Sequence, residues 1–170
     1  MLIPVFGSCP TYLNDSQEGA RRFIYGEMGR QGFEVRTIGR TDYPVKTPLL
    51  EVFVLARHCS GGLVLGFSQF ETDHAISKRG TPFEKEQKGT LRIATPWNQL
   101  EAGILFSLGI PLLVFREEGV AGGVFDAGTT EIFVHEMPKP NPSAAARRAL
   151  REIVQKWGAD VRTRYYKNPP

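Results

Sequence analysis

The sequence predicts a single α/β domain built on a five-stranded parallel sheet, and two observations carry that expectation. Strand-like apolar runs alternate with helical ones along the chain. The 170 residues, 41% hydrophobic and 23% charged, suffice to bury one core and not two. The 18 glycines and 12 prolines fall between the apolar runs as turn punctuation, and no internal repeat is present.

Leu2 to Phe6 reads as the first strand. A helix follows from about Asp15, with Ala20, Phe23, Ile24 and Met28 on one face, and stops at Gly32. Phe33 to Ile38 supplies the second strand. The turn-rich Gly39-Arg-Thr-Asp-Tyr-Pro44 leads to a helix over Pro48 to His58, whose proline suits a first helical position. Gly62 to Phe67 is apolar enough for a third strand buried on both faces. The polar segment from Ser68 to Ala94 exceeds the ~12–15 residues of an ordinary connection and reads as an insertion: a lid, an interface or a small hairpin.

Thr95-Pro96 starts the next helix, with threonine capping the first amides, and Leu108 closes it. Ile110 to Phe115 is the fourth strand, and Ile132 to His135 a short fifth. Ser143 caps a last helix with Ala146, Ala149, Leu150, Ile153, Val154 and Trp157 on one face. Gly158 is expected to end it, leaving a domain of residues 1–160 and a tail of 161–170. Right-handed crossovers then give a doubly wound, three-layer, flavodoxin-like sheet of order 2-1-3-4-5.

Several functions are excluded by composition. No apolar run approaches the roughly 20 residues of a membrane span. The amino terminus lacks the order of a signal peptide, so a cytoplasmic protein is expected. Cys9 and Cys59 are far apart, and His58, His74 and His135 are mutually remote, which predicts reduced thiols and no metal site. The net charge is +3, and the basic residues from Arg147 to Lys167 suit a solvated helix face, so a nucleic-acid partner is not expected.

Ligands of such sheets bind beyond the carboxyl ends of the strands, beside the first one. That rule selects Phe6 to Pro10, Gly39 to Tyr43, Ser68 to Phe70, Trp97 to Glu101, and Glu117 to Asp126. Gly119 to Asp126 lacks the Lys-Ser/Thr ending of a phosphate loop and reads as a pocket rim. Glu101 stands out, because Ala102-Gly-Ile-Leu105 after it is core sequence. Trp97 and Asn98, four and three positions earlier, project from the same side of the helix. An aromatic ring, an amide and an acid then share one wall. The helix dipole favours an ionised Glu101, suited to a nucleophile or an acceptor for sugar hydroxyls. The alternative is an exposed helix glutamate, or one capping a structural network.

Thr95-Pro-Trp97-Asn-Gln-Leu-Glu101 resembles the Ser-x-Trp-Cys-x-x-Glu segment of TIR domains, whose glutamate is catalytic in the NAD-cleaving members. Val5-Phe6-Gly-Ser8 is similar to the Phe-x-Ser after a TIR first strand, and Gly39-Arg40-Thr-Asp42-Tyr-Pro44 to the loop after the second. Asn98 stands where the family has cysteine, and residues 68–94 are an insertion. The resemblance implies an N-glycosidase that cleaves NAD or a related nucleotide, releasing nicotinamide and leaving or cyclising ADP-ribose. NAD is then substrate, and no cofactor is required. Glu101 would be the catalytic carboxylate; Phe6, Gly7, Ser8, Cys9, Asp42, Ser68, Trp97 and Asn98 would border the substrate. Such domains act in bacterial antiviral defence under the control of self-assembly or a partner effector protein. The architecture also resembles nucleoside deoxyribosyltransferases, whose third-strand loop supplies an aspartate. Here that loop reads Gly66-Phe-Ser68-Gln69-Phe70, and Asp73 is the nearest acid after it. A non-catalytic sensor of a nucleotide messenger is the remaining alternative.

Overall fold

A computed structural model describes residues 2–43, 45 and 47–167. The elements run β1 (Ile3–Ser8), α1 (Asp15–Arg30), β2 (Phe33–Arg36), α2 (Pro48–Arg57), β3 (Gly61–Gly66), β4 (Phe70–Ser77), β5 (Lys85–Ile93), α3 (Pro96–Ser107), β6 (Leu112–Arg116), β7 (Val134–Glu136) and α4 (Ala144–Lys167). The main sheet is parallel and ordered β2-β1-β3-β6-β7, while β4 and β5 form a separate two-stranded sheet. Setting that hairpin aside, the order is the 2-1-3-4-5 expected from the sequence. Pro44 and residues 168–170 lie outside the described residues.

The local chemistry explains the elements. Asn14 and Gln17 form a reciprocal cap on α1: the Asn14 carbonyl accepts from the Gln17 amide at 2.9 Å, and the Gln17 side chain accepts from the Asn14 amide at 3.2 Å. Strand β2 stops at Arg36, short of the expected Ile38, because the Thr37 amide turns to the Thr41 hydroxyl at 2.7 Å. The Thr37 carbonyl meanwhile gathers the amides of residues 40–42. Strand β7 is displaced to Val134–Glu136, where it pairs with Val114–Arg116.

Apolar side chains fill both faces of the sheet. Ala20, Ile24 and Met28 of α1 and Leu150, Val154 and Trp157 of α4 pack with Leu63, Leu65 and Phe115. Val52 and Ala56 of α2 and Ala102 and Leu105 of α3 pack with Phe6, Val64 and Val114. β3 is buried along its whole length, as its near-continuous apolar sequence requires.

Residues 68–94 form an antiparallel hairpin, one of the forms expected for them, with a register shift between Thr72 and His74 and mostly exposed strands. Its base is held where the Arg92 guanidinium donates to the Glu118 carbonyl at 3.1 Å. The glycine-rich loop is anchored in the core by Val120, Val124 and Phe125 while its glycines stay exposed, and Gln99 holds it by accepting from the Val124 amide at 2.9 Å and donating to the Gly122 carbonyl at 3.1 Å. Residues 161–167 of the expected tail are helix. Gly158 does not end α4, because a Cβ there would lie 2.8 Å from the Phe33 ring; its missing side chain lets the helix close on β2. Val161, one turn on, is fully buried.

Gly66 marks a second close approach, at the end of β3. A Cβ there would sit 2.3 Å from Phe125 Cε1. Gly66→Ala is expected to lower stability by about 2 kcal/mol through this overlap. Urea unfolding with an unchanged midpoint would refute it.

Candidate functional site

A cavity of about 420 Å³ opens beyond the carboxyl ends of β1 and β2, where the switch-point rule places a ligand. Cys9, Pro10, Thr11 and Tyr12 after β1 form one side, Ile38 and Gly39 after β2 a second, Pro48 and Val52 of α2 a third, and Thr95, Trp97, Asn98 and Glu101 the last. A larger groove of about 650 Å³ lies at the amino end of β6, among Phe106, Ile110, Phe133 and Trp157. Its walls are mostly apolar, with Lys156 and Asp160 at the margin. The smaller cavity is the better candidate, because it holds the partly buried Glu101 carboxyl at the switch point.

The α3 start explains how Glu101 reaches the cavity. Thr95 caps the helix by accepting from the Asn98 amide at 3.2 Å, with Pro96 at the first helical position. Glu101 then falls in the second turn, on the side that Trp97 and Asn98 share. Asn98 is almost wholly buried, and its amide nitrogen donates to the Ser8 hydroxyl at 2.8 Å. A side-chain interaction of Ser8 with Glu101 acts to lower the carboxyl's pKa.

Electrostatics contradict the expectation of a fully ionised acid. Burial pushes the Glu101 carboxyl from its usual 4.5 up to about 7, and the Ser8 hydrogen bond only partly offsets this. The helix dipole is weak this far from the first turn, so desolvation prevails. Ser8→Ala removes the offsetting donor and is expected to raise the Glu101 midpoint above about 7. Carbon-13 NMR of the glutamate carboxyls would read it, and an unmoved midpoint would refute the hydrogen bond's role. Cys9 lines the cavity, but burial pushes its thiol up to about 12, so it is no nucleophile at neutral pH.

Several of the remaining sequence candidates lie elsewhere. Phe6 is fully buried among α2 and α3 side chains, and Gly7 packs against Val35 and Thr37. Ser8 is also buried and touches Glu101 in place of the open cavity. Asp42 pairs with Arg36 and borders a separate hollow beside Tyr43 and His58. Ser68 donates its amide to Glu117 at 2.8 Å. Glu117 also accepts from the Gln17 side chain at 2.9 Å, so it joins strand ends and is no solvated turn residue. Trp97, 44% exposed, and Tyr12, 87% exposed, stand at the cavity as rings, not core. Sequence reasoning did not assign Thr11, Ile38, Pro48 and Val52 to the site; their only signal was position after a strand or at a helix start.

Among the described residues, no three His, Cys, Asp or Glu side chains come together as a ligand set for a metal ion. No helix among them is long and apolar enough to cross a membrane. The fold and the cavity thus define an α/β domain with a parallel sheet and a partly buried carboxyl at its switch point. No protein-family model matches the chain, and no curated protein matches it.

Proposed function

We propose that this chain is a TIR-like N-glycosidase, a three-layer flavodoxin-like domain that cleaves NAD or a related nucleotide with Glu101 as the essential carboxylate. The observation that carries the proposal is Glu101, the one carboxyl among the described lining residues, set in the wall of a sugar-sized cavity at the switch point. Its position in Thr95-Pro-Trp97-Asn-Gln-Leu-Glu101 adds the family resemblance.

The chemistry needs little more than a placed anion. In NAD the nicotinamide nitrogen is a cation, so breaking the C1′–N bond returns the electron pair to the ring and releases a neutral base. No general acid is required. The ribosyl fragment becomes oxocarbenium-like, and an ionised carboxylate beside it stabilises or traps that charge. Water then adds to C1′ and loses a proton, giving ADP-ribose, or an adenine nitrogen of the same molecule closes a ring.

The raised Glu101 midpoint sets a pH profile. Only the ionised form is productive, so kcat/KM is expected to rise through about pH 7, the value in the free protein. The bound cation favours the anion, so the midpoint in kcat is expected at lower pH. Initial rates of nicotinamide release across the pH range check both, and a kcat/KM that falls through this window would contradict the role of Glu101.

The decisive experiment is chromatography of NAD, deoxynucleosides and nucleotides after incubation with the protein. Nicotinamide release supports the proposal. Tight binding without turnover would overturn it in favour of a nucleotide-messenger sensor. Deoxyribosyl transfer has less support, because Asp73 accepts from Thr90 on the exposed hairpin and does not line the cavity.

A further inference from the structure

A separate concavity lies at the opposite end of the sheet from Glu101. It is a hollow of about 610 Å³ between the end of α1 and the body of α4, lined by Glu27, Arg30, Gln31, Arg151, Gln155 and Arg162. Gln31 stands just before β2, which places the hollow at the amino end of that strand. Every one of these lining residues is charged or carries an amide.

The arrangement follows from helical spacing and one buried acid. Glu27 and Arg30 are three positions apart on α1, so they share a side of its last turn. The buried Glu27 carboxylate accepts from Arg30 Nη1 and from the Gln31 side-chain amide, both at 2.9 Å, and Arg151 Nε lies 3.7 Å from it. The Gln31 side chain also donates to the Arg151 carbonyl at 3.0 Å, and Arg162 Nη2 donates to the Gln31 carbonyl at 2.7 Å. Three guanidinium groups are thereby tethered to Glu27 and Gln31, which stand one helical turn apart, a span of about 6 Å.

Charge decides between a structural ion pair and a ligand site. A buried carboxylate is balanced by one guanidinium, and this one has gathered three. The carbonyl end of α1 contributes about half a negative charge, so the lining keeps an excess of roughly 1.5 positive charges. Arg30 and Arg151 have side chains 62% and 64% exposed, and Glu27 engages one nitrogen of each, so the rest of each planar fork faces outward. Such forks grip phosphate oxygens two at a time. Guanidiniums tethered over a single turn match two or three linked phosphoryl groups better than an extended strand.

We propose that this hollow binds a polyphosphate anion, a diphosphate or triphosphate group that is either free or the tail of a nucleotide. The site is distinct from the Glu101 cavity and stands whether or not the chain is an N-glycosidase.

NMR titration of the full chain with inorganic triphosphate, without divalent metal and at about 0.1 M salt to screen exposed charges outside the hollow, tests it. Saturable shifts at Arg30, Gln31, Arg151 and Gln155 are expected below about 10 mM. Arg30→Gln and Arg151→Gln are each expected to weaken binding about tenfold, the contribution of one charge-assisted contact. Gln155→Glu, at an exposed position of α4, adds a carboxylate to the lining and is expected to weaken it as much without removing a partner of Glu27. Arg148→Gln is the control: that arginine pairs with Glu152 at 3.0 Å and does not line the hollow, so binding stays within about twofold. No saturable shift up to about 10 mM, or a loss in Arg148→Gln equal to those in the lining variants, would overturn the proposal. ATP separates the two sources: affinity within about tenfold of that for triphosphate assigns recognition to the phosphate chain itself, and a larger gain assigns it to a nucleotide. A single-stranded DNA of about 20 nucleotides that binds more than about a hundredfold more tightly than triphosphate would overturn it in favour of a nucleic-acid surface.

Discussion

Glu101→Gln is expected to abolish nicotinamide release, by at least about a hundredfold, and at the same time to make the folded protein more stable above neutral pH. The two effects share one cause, the burial of a carboxyl that must be charged to work. In the folded chain its midpoint is about 7, against the usual 4.5. Below the lower value both folded and unfolded chains hold the proton, and burial carries no ionic penalty. Between the two values the unfolded chain ionises and the folded one does not, so stability falls as pH rises. Above about 7 the loss is complete and amounts to roughly 3 kcal/mol as an upper figure. Glutamine stays neutral throughout. The variant is therefore expected to exceed the parent by up to roughly 3 kcal/mol at about pH 8, with the gap closing toward about pH 4.5. Urea unfolding at both pH values measures it. A variant that is inactive but no more stable at high pH would show that Glu101 is solvated.

Ending the chain at Asp160 is expected to destabilise the protein by about 3–5 kcal/mol, which lowers Tm by roughly 10 °C. The missing piece would include Val161, which is fully buried, and Tyr165, which packs against the core. It would also remove Arg162, which donates to the Gln31 carbonyl at 2.7 Å and stacks over Phe33, and Arg164, which donates to the Gly109 carbonyl at 3.1 Å. Each such hydrogen bond contributes about 1 kcal/mol. Calorimetry of the shortened chain decides the matter; an unchanged Tm would return these residues to the status of a tail.

The legibility of the fold differed between elements for physical reasons. Pro48 and Thr95-Pro96 announce α2 and α3 because proline and threonine act at helix starts without help from distant residues. Gly158 misleads for the opposite reason. A glycine after a helical stripe usually marks a C-terminus, but here it is kept for the space that Phe33 occupies, and only the folded chain brings Phe33 there. The anchoring of the Gly119–Asp126 loop is hidden likewise, since its Val124 and Phe125 are core only because Gln99 and β3 lie beneath it.

The candidate site divides in the same way. Helical spacing alone put Trp97, Asn98 and Glu101 on one side of α3, and the chain's alternation of strands and helices put that side near the end of β1. Whether Glu101 is charged was beyond the sequence, because ionisation depends on how much water surrounds the carboxyl and on the Ser8 hydroxyl, contributed by a strand more than ninety residues earlier. Separation of Asp42 and Ser68 from the cavity likewise followed from partners, Arg36 and Glu117, that claim them in three dimensions. Periodicity and helix starts are local and legible in one dimension; desolvation and the choice among hydrogen-bond partners are set by neighbours distant in the chain, and only tertiary structure decides them.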